Sequence, residues 1–413
     1  MSQYFWPENF RINDLVAELV ARGHHVTVLT GQPNYPDGAV FPAFRAVPTN
    51  FSEFAGARIV RVPIFARGHG ALRLMLNYFS FAVSGIVFGL WRLRGRAFDS
   101  IFVFQPSPVL SALPALALAV TKRAPVALWV LDLWPDTLRA VGAVKSSLAL
   151  AAVGHLVTFI YRRCDLVLAQ SQAFIPNIES YARGGTEVRY FPGWAEAVMQ
   201  DGAHSAPKAE ELSPHDGHFK ILFAGNIGES QDFASVLDAA SALRANASVR
   251  WIIVGDGRAA PWLRDEIKRR GLADSVFMLG RFPLERMPSF LGSADVLLVT
   301  LRKEPIFSMT IPGKVQTYLS SGRPVLGMLD GEGARVIEES GAGWAAPAGN
   351  GSALATLVLR MASLDKSERD AMGLRGQAYC FHEFDRHSLI SRLEQWLDPR
   401  KQAKRANDID CSN

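Results

Sequence analysis

Between Thr300 and Val325 the chain reads TLRKEPIFSMTIPGKVQTYLSSGRPV. Pro312 suits the first position of a helix, where a missing N–H leaves no bond unmade. Gly313 lets the backbone approach a ligand closely, and Lys314 adds a full positive charge to the same turn. The free N–H groups of a first turn and the helix dipole attract anions, so this segment can hold a diphosphate. The same residues also make an ordinary capped helix, and the segment alone leaves both readings open.

The elements that must position it follow from the periodicity of the rest. A helix carries Ile12, Leu15, Val16, Leu19 and Val20 on one face and stops at Gly23. Short apolar, β-branched runs mark strands near His25–Thr30, Arg58–Val62, Ser100–Phe104, Val126–Leu131, Leu166–Gln170 and Glu187–Phe191. A polar stretch, Met199 to His218, reads as a linker. Strands recur at Phe219–Ala224, Val249–Val254, Val276–Leu279, Val296–Val299 and Arg323–Gly327. Helices alternate with them at about Phe233–Leu243, Pro261–Arg270, Pro312–Ser320 and Ala353–Ala362.

This predicts an α/β chain of two doubly wound, Rossmann-like domains facing a cleft, over 1–198 and 219–366. The linker is 199–218, helices follow over 367–397, and 398–413 is a polar, disordered tail. Ligands of such domains sit at the carboxyl ends of the strands. There the second block places AGNIGESQD (Ala224–Asp232), VGDGR (Val254–Arg258) and LGRF (Leu279–Phe282) beside the Pro312–Lys314 turn. Gly225 and Gly255 are the candidates for close backbone approach, although VGDGR by itself fits a tight strand-to-helix turn. No G-x-G-x-x-G follows a strand and no P-loop lysine motif occurs, so no nicotinamide, flavin or other cofactor is expected. The D-x-D at Asp408 and Asp410 lies in the polar tail, and no metal site is expected there.

At 413 residues and 49% hydrophobic, the chain can build a large core in two or three domains. Its three cysteines, Cys164, Cys380 and Cys411, are far apart and fit a reducing compartment. The net charge of +5 is uneven: residues 1–198 hold 18 Lys/Arg against 12 Asp/Glu. No acidic residue stands between Glu53 and Asp99, a window with Arg58, Arg61, Arg67, Arg73, Arg92, Arg94 and Arg96. No nucleic-acid motif accompanies it, so an anionic membrane surface is the expected partner and nucleic acid is not. The uncharged stretch Leu74–Trp91 has three readings: a helix at the membrane interface, an ordinary buried helix, or a span at the lower length limit.

VGDG, LGRF, SADVLLVTL and PGKVQTYLSSGRPV, in that order, resemble the nucleotide-sugar-binding domain of retaining family-4 glycosyltransferases, which have the GT-B fold. SQYFWPEN, RGHHVTVLT, LDLWPD, CDLVLAQSQAF and RYFPGWAE resemble that family's acceptor domain, so the resemblance runs to about Leu397. PGKVQTYL, GNIGESQD and SQYFWPEN together resemble a bacterial subgroup that builds O-antigen- and colanic-acid-type surface polysaccharides and is often labelled fucosamine transferase. The resemblance implies a retaining, metal-independent enzyme that moves a sugar from a UDP-sugar donor to a polyprenyl-diphosphate-linked or other lipid-linked acceptor. It implies work in the cytoplasm, peripherally on the inner face of the plasma membrane, and a C-terminal helix that returns to the first domain. An epimerase of the same fold and a nucleotide-sugar-binding subunit with weak or no catalysis are the alternatives.

Departures from the family pattern bear on the site. Many members carry two glutamates eight positions apart; counting back from Gly322 puts Thr317 and Met309 there, and Glu304, displaced by five residues, is the nearby carboxylate and the catalytic candidate. The family's basic pair for the donor phosphates maps to Asn226 and Gln231, amides that can bond phosphate without charge. Lys314 and its helix terminus then carry more of the anion's stabilisation. Phe282 packs either on the donor base or in the core. On the acceptor side Asp132, at a strand's carboxyl end, is a candidate catalytic residue that orients or deprotonates the acceptor hydroxyl, with helix capping or a buried structural role as its alternative. Trp6, Glu8 and Asn9 are candidate acceptor contacts, with a first-turn dipole role as Glu8's alternative. In this architecture the residues before SQYFWPEN form a central strand. Only Ser2–Phe5 are at hand, so that first strand is expected to be missing, with the start of the chain about five to eight residues too late.

Overall fold

The computed structural model describes residues 1–35, 38–68, 71–140, 142, 144–195 and 206–398. Two compact units result: Met1–Phe191 with the chain from His387 on, and Pro192–Arg386.

In the first unit the strands are β1 (Thr27–Gly31), β2 (Glu53–Phe54), β3 (Ala57–Val62), β4 (Ile101–Gln105), β5 (Val126–Val130), β6 (Leu166–Ala169) and β7 (Glu187–Tyr190). Its helices are α1 (Arg11–Ala21), α2 (Pro42–Ala46), α3 (Ala71–Arg92), α4 (Leu113–Lys122), α5 (Asp136–Ala140), α6 (Ser147–Tyr161) and α7 (Phe174–Ala182). The strands run in the orders β1-β3-β2 and β4-β5-β6-β7, parallel except for β2. Parallel strands covered by helices on both faces need no alternation. Accordingly all five residues of β5, VALWV, are buried.

Between β1 and β4 lies the start of the chain. The Met1 amine donates to Phe102 O (2.5 Å) and Met1 O accepts from Phe104 N (2.9 Å). On the other side Ser2 N donates to Leu29 O and Gln3 O accepts from Gly31 N, each at 3.2 Å. The expected gap is therefore occupied over three residues, which pair with both neighbouring strands.

The second unit holds β8 (Phe219–Ala224), β9 (Val249–Val254), β10 (Val276–Gly280), β11 (Val296–Thr300), β12 (Val325–Met328) and β13 (Gly343–Ala346). They form one parallel sheet in the order β10-β9-β8-β11-β12-β13. The order reverses between β8 and β11, so the loops leaving those two strands flank a topological switch point, where ligands of such sheets bind. Every expected strand is present with ends shifted by no more than two residues, while β2 and β13 were not expected.

Two boundaries need correction. Of the expected linker, 199–205 lie outside the described residues, but Glu210–His215 is a 3-10 helix in the second unit with Leu212 buried in its core. Of the expected C-terminal helices, Lys366–Glu383 belongs to the second unit and only the Arg386–Leu397 helix lies with the first. There Arg22 reaches Glu394 (2.8 Å), His24 reaches Glu394 (2.7 Å), and Trp396 packs on Phe191. The tail from 399, with Asp408 and Asp410, lies outside the described residues.

Helix α3 is two-sided. Asn77, Tyr78, Phe81, Ala82, Ser84, Gly85 and Gly89 face inward, whereas Met75, Phe79, Val83, Val87 and Trp91, four residues apart, are exposed by half or more. Gly85 sits where a Cβ would be 2.7 Å from Pro114 of α4. Gly85→Leu is expected to overpack this contact and destabilise the unit by about 1–3 kcal/mol, lowering the thermal midpoint by several degrees. Val83→Ser, on the outer face, should leave the midpoint within about one degree.

Candidate functional site

Backbone-on-backbone packing builds the floor of the second unit's switch point. Gly225 N donates to Val254 O (2.9 Å), Gly255 N to Gly280 O (2.7 Å) and Ile227 N to Asp256 O (2.9 Å). A Cβ at Gly255 would lie 1.9 Å from Gly225 O, and Gly225 and Gly255 both have φ in the range only glycine adopts freely, +146° and +138°. These positions are glycine because the two loops touch through their main chains.

Onto this floor the Gly313–Ser320 helix brings Lys314. Tyr318, one turn on, is fully buried; its hydroxyl donates to Ala224 O (3.1 Å) and accepts from Ala224 N (2.8 Å), tying the helix to the end of β8. Lys314 then lies so close to Gly225 that a Cβ there would meet its Cε at 2.5 Å. Its Nζ donates to Gln231 Oε1 (2.8 Å) and stands 4.7 Å from the centroid of the Phe223 ring. Gln231 is held in turn: its carbonyl accepts from the Thr300 hydroxyl, and Ser230 O accepts from Arg302 N (2.8 Å) at the end of β11. No carboxylate among the described residues offsets the ammonium, and desolvation lowers its pKa to about 8.

Pro312 precedes this helix and does not begin it. It is the N-cap residue, with ψ 136°, and the helix starts at the exposed Gly313 with no side chain capping it. The displacement by one residue leaves the first-turn N–H groups uncapped by any side chain beside a desolvated cation. Such a pair of features holds an anion and stabilises charge that develops on it.

Other expected residues fall in different roles. Thr317 Oγ1 donates to Gly313 O (3.1 Å) inside the helix, and Asn226 is exposed at the loop's surface. Glu304 precedes the Pro305–Ser308 helix and pairs with Arg302 at 3.3 Å. Phe282 is half-buried against Phe290 (4.7 Å), so it joins the core edge and keeps part of its ring exposed. Tyr318 and Thr300 were not foreseen; the signal for Tyr318 was its place four residues after Lys314, on the same face of the helix.

In the first unit, the Asp132 carboxylate accepts from Thr137 Oγ1 (2.5 Å), Trp134 Nε1 (3.1 Å) and the Ser107 side chain. Burial raises its pKa against these three bonds. Glu8 is not in a helical first turn, because α1 starts at Arg11. Its buried carboxylate accepts from Phe5 N (3.1 Å), Asn34 N (2.7 Å) and Tyr35 N (2.7 Å), lashing the Trp6 loop to the end of β1. Trp6 packs on Phe51 (5.2 Å) and Phe54 (5.5 Å), while Asn9 is exposed. Arg61 completes the loop's support by donating to Gly31 O (3.0 Å), Phe51 O (3.3 Å) and Trp6 O, and burial lowers its pKa to about 10.

Residues 218–363 match the family model described as glycosyl transferases group 1, and residues 9–194 match that of the glycosyl transferase 4-like domain. Both halves are glycosyltransferase domains. Among curated proteins, the chain is 28% identical over 274 residues to the Pseudomonas aeruginosa glycosyltransferase WbjE, across 64% of this chain and 66% of that one. It is 29% identical over 321 residues to Escherichia coli WcaI, named for colanic acid biosynthesis, across 75% of this chain and 76% of that one. Among solved structures, Anabaena HepE in complex with UDP superposes with TM-score 0.69 at 15% identity, covering 96% of this chain and 98% of that one. The chain thus shares the GT-B fold with this solved neighbour.

Lys314 makes the stability of the second domain pH-sensitive in a defined direction. The folded lysine releases its proton near pH 8, the unfolded one near 10.5. Between these values the unfolded state binds more protons, so the ligand-free protein gains stability as pH rises through that window. Lys314→Met should remove this slope and stabilise the ligand-free protein at pH 7 by about 1–3 kcal/mol, read by denaturant unfolding at pH 7 and pH 9.5.

Proposed function

We propose that the chain is a retaining glycosyltransferase that transfers a sugar from a UDP-sugar donor to a lipid-linked, for example polyprenyl-diphosphate-linked, acceptor in the assembly of a bacterial surface polysaccharide. The observation that carries this reading is Lys314, a desolvated cation with no carboxylate partner among the described residues, beside an uncapped helix terminus at the switch point. Support comes from the neighbours. HepE has been solved with UDP and with UDP-glucose, and WcaI is named for colanic acid biosynthesis.

In this reading Gly225, Asn226, Gln231, Gly255, Phe282, Pro312, Gly313, Lys314 and Thr317 line the donor side. Lys314 and the first-turn N–H groups meet the charge of the departing nucleoside diphosphate without a metal ion. A donor phosphate oxygen takes the acceptor proton from the same face as the leaving group. Glu304 orients the donor sugar. Asp132, with three of its four or so lone-pair sites filled, keeps room for one acceptor hydroxyl. Trp6 and Asn9 contact the acceptor, and Glu8 holds their loop.

The same reading places the protein peripherally on the cytoplasmic face of the plasma membrane. α3 presents its apolar outer stripe between Arg73 and Arg92, with Arg94 beyond, where guanidinium groups can reach lipid phosphates. It is long and apolar enough to cross a bilayer, but its inner face carries Asn77 and Tyr78 into the domain's interior.

A panel of UDP-sugars with extracted polyprenyl-linked acceptors, read by mass spectrometry, should show one donor adding a single sugar mass. A changed free UDP-sugar without acceptor would mark an epimerase, and donor binding without any turnover a binding subunit. The donor KM should rise several-fold as pH passes through 8, as Lys314 loses its proton. Val83→Glu combined with Val87→Glu should abolish co-sedimentation with anionic vesicles; unchanged sedimentation would refute the α3 assignment.

A further inference from the structure

At the carboxyl ends of the first unit's strands a second group of side chains converges, apart from the donor-side lysine. Arg67 follows β3, and its backbone N–H donates to Asn34 Oδ1 (2.8 Å) in the loop after β1. Its guanidinium carbon stands 5.2 Å from the centroid of the Tyr35 ring, and the guanidinium bonds the Tyr4 hydroxyl. Tyr4 and Tyr35 pack 5.4 Å apart. From α3 comes Tyr78, nearly fully buried, bonded to Ser107 and packed 6.3 Å from Trp134. Tyr78 lies within electrostatic reach of both Arg67 and Asp132, so the cluster adjoins the candidate acceptor-orienting carboxylate.

The two neighbouring arginines differ in a telling way. Arg61 spends its guanidinium on three backbone carbonyls. Arg67 has no carboxylate partner among the described residues, and its side-chain neighbours are phenols. A guanidinium offers a planar fork of donors that matches phosphate, and phenol hydroxyls add single donors. The first turn of α3 contains no acidic residue, so the positive end of that helix dipole acts in the same sense.

We propose that Arg67, with Tyr35 and Tyr78, binds a phosphate group of the acceptor and thereby sets its glycan against Asp132. This rests on the transferase reading and adds to it that the acceptor is selected by its phosphate. The shared chemistry is a phosphate ester, which a lipid diphosphate acceptor and a bilayer headgroup both supply, and the test separates them.

Farnesyl diphosphate and farnesol are titrated calorimetrically into the full chain with UDP saturating the donor side and no vesicles present. The wild type should bind the diphosphate at least tenfold more tightly than the alcohol. Arg67→Gln should erase that difference, Arg67→Lys should restore part of it, and both variants should keep the wild-type UDP affinity and thermal midpoint. Equal binding by wild type and Arg67→Gln would overturn the proposal. So would an Arg67→Gln defect confined to sedimentation with phospholipid vesicles, which would assign the site to a headgroup. Because the titration needs no turnover, it holds even if no donor is ever transferred; failure of the transferase reading and failure of this site are therefore distinct results.

Discussion

A largely desolvated lysine ammonium whose partners among the described residues are an amide oxygen and an aromatic face is the constraint on which the second domain turns. No carboxylate among the described residues offsets its desolvation, and its pKa falls to about 8. The surroundings read as devices that hold it there. Gly225 clears the space against which the side chain lies, Gly255 clears the space for Gly225, and Tyr318 pins the helix to β8. Gln231 accepts one of its protons while being fixed by Thr300. A charge stabilised this poorly without ligand is available to stabilise an anion that arrives or develops beside it.

In the first domain the charged groups are used the other way. Glu8 and Asp132 spend their oxygens on backbone and side-chain donors, and Arg61 spends its guanidinium on carbonyls. Each of these fixes a loop at the carboxyl end of a strand. Among the described residues the Arg67 guanidinium meets phenols and no carboxylate, and α3 leaves its outer stripe exposed. The two domains therefore leave chemically different groups open, a lysine with a helix terminus in one and an arginine among phenols in the other.

Most strands of both domains were legible because buried parallel strands are unbroken apolar runs, such as VALWV and VLLVT. The strand GWAA was not, since glycine and alanine carry no β-branched signal. Polarity hid Leu212 in a segment that read as linker, and only its burial shows that the segment belongs to a core. Lys314 could be picked out because Pro-Gly-Lys is a local signal. The fate of Glu8 could not, because it depends on Asn34 and Tyr35, which approach only in three dimensions. Pro312 was misplaced by one residue for a local reason: its extended ψ makes it the cap of the helix instead of its first turn. Tyr318 was visible in the sequence, yet its partner, the main chain of Ala224, was not.

If Lys314 is a phosphate ligand, as proposed, it distinguishes a nucleoside diphosphate from a monophosphate. Calorimetric affinities of UDP and UMP for the wild type and for Lys314→Met test it most directly. The account predicts that the wild type prefers UDP to UMP by tenfold or more and that Lys314→Met binds the two alike, with UMP affinity nearly unchanged. A Lys314→Met variant that kept the full preference for UDP would contradict it.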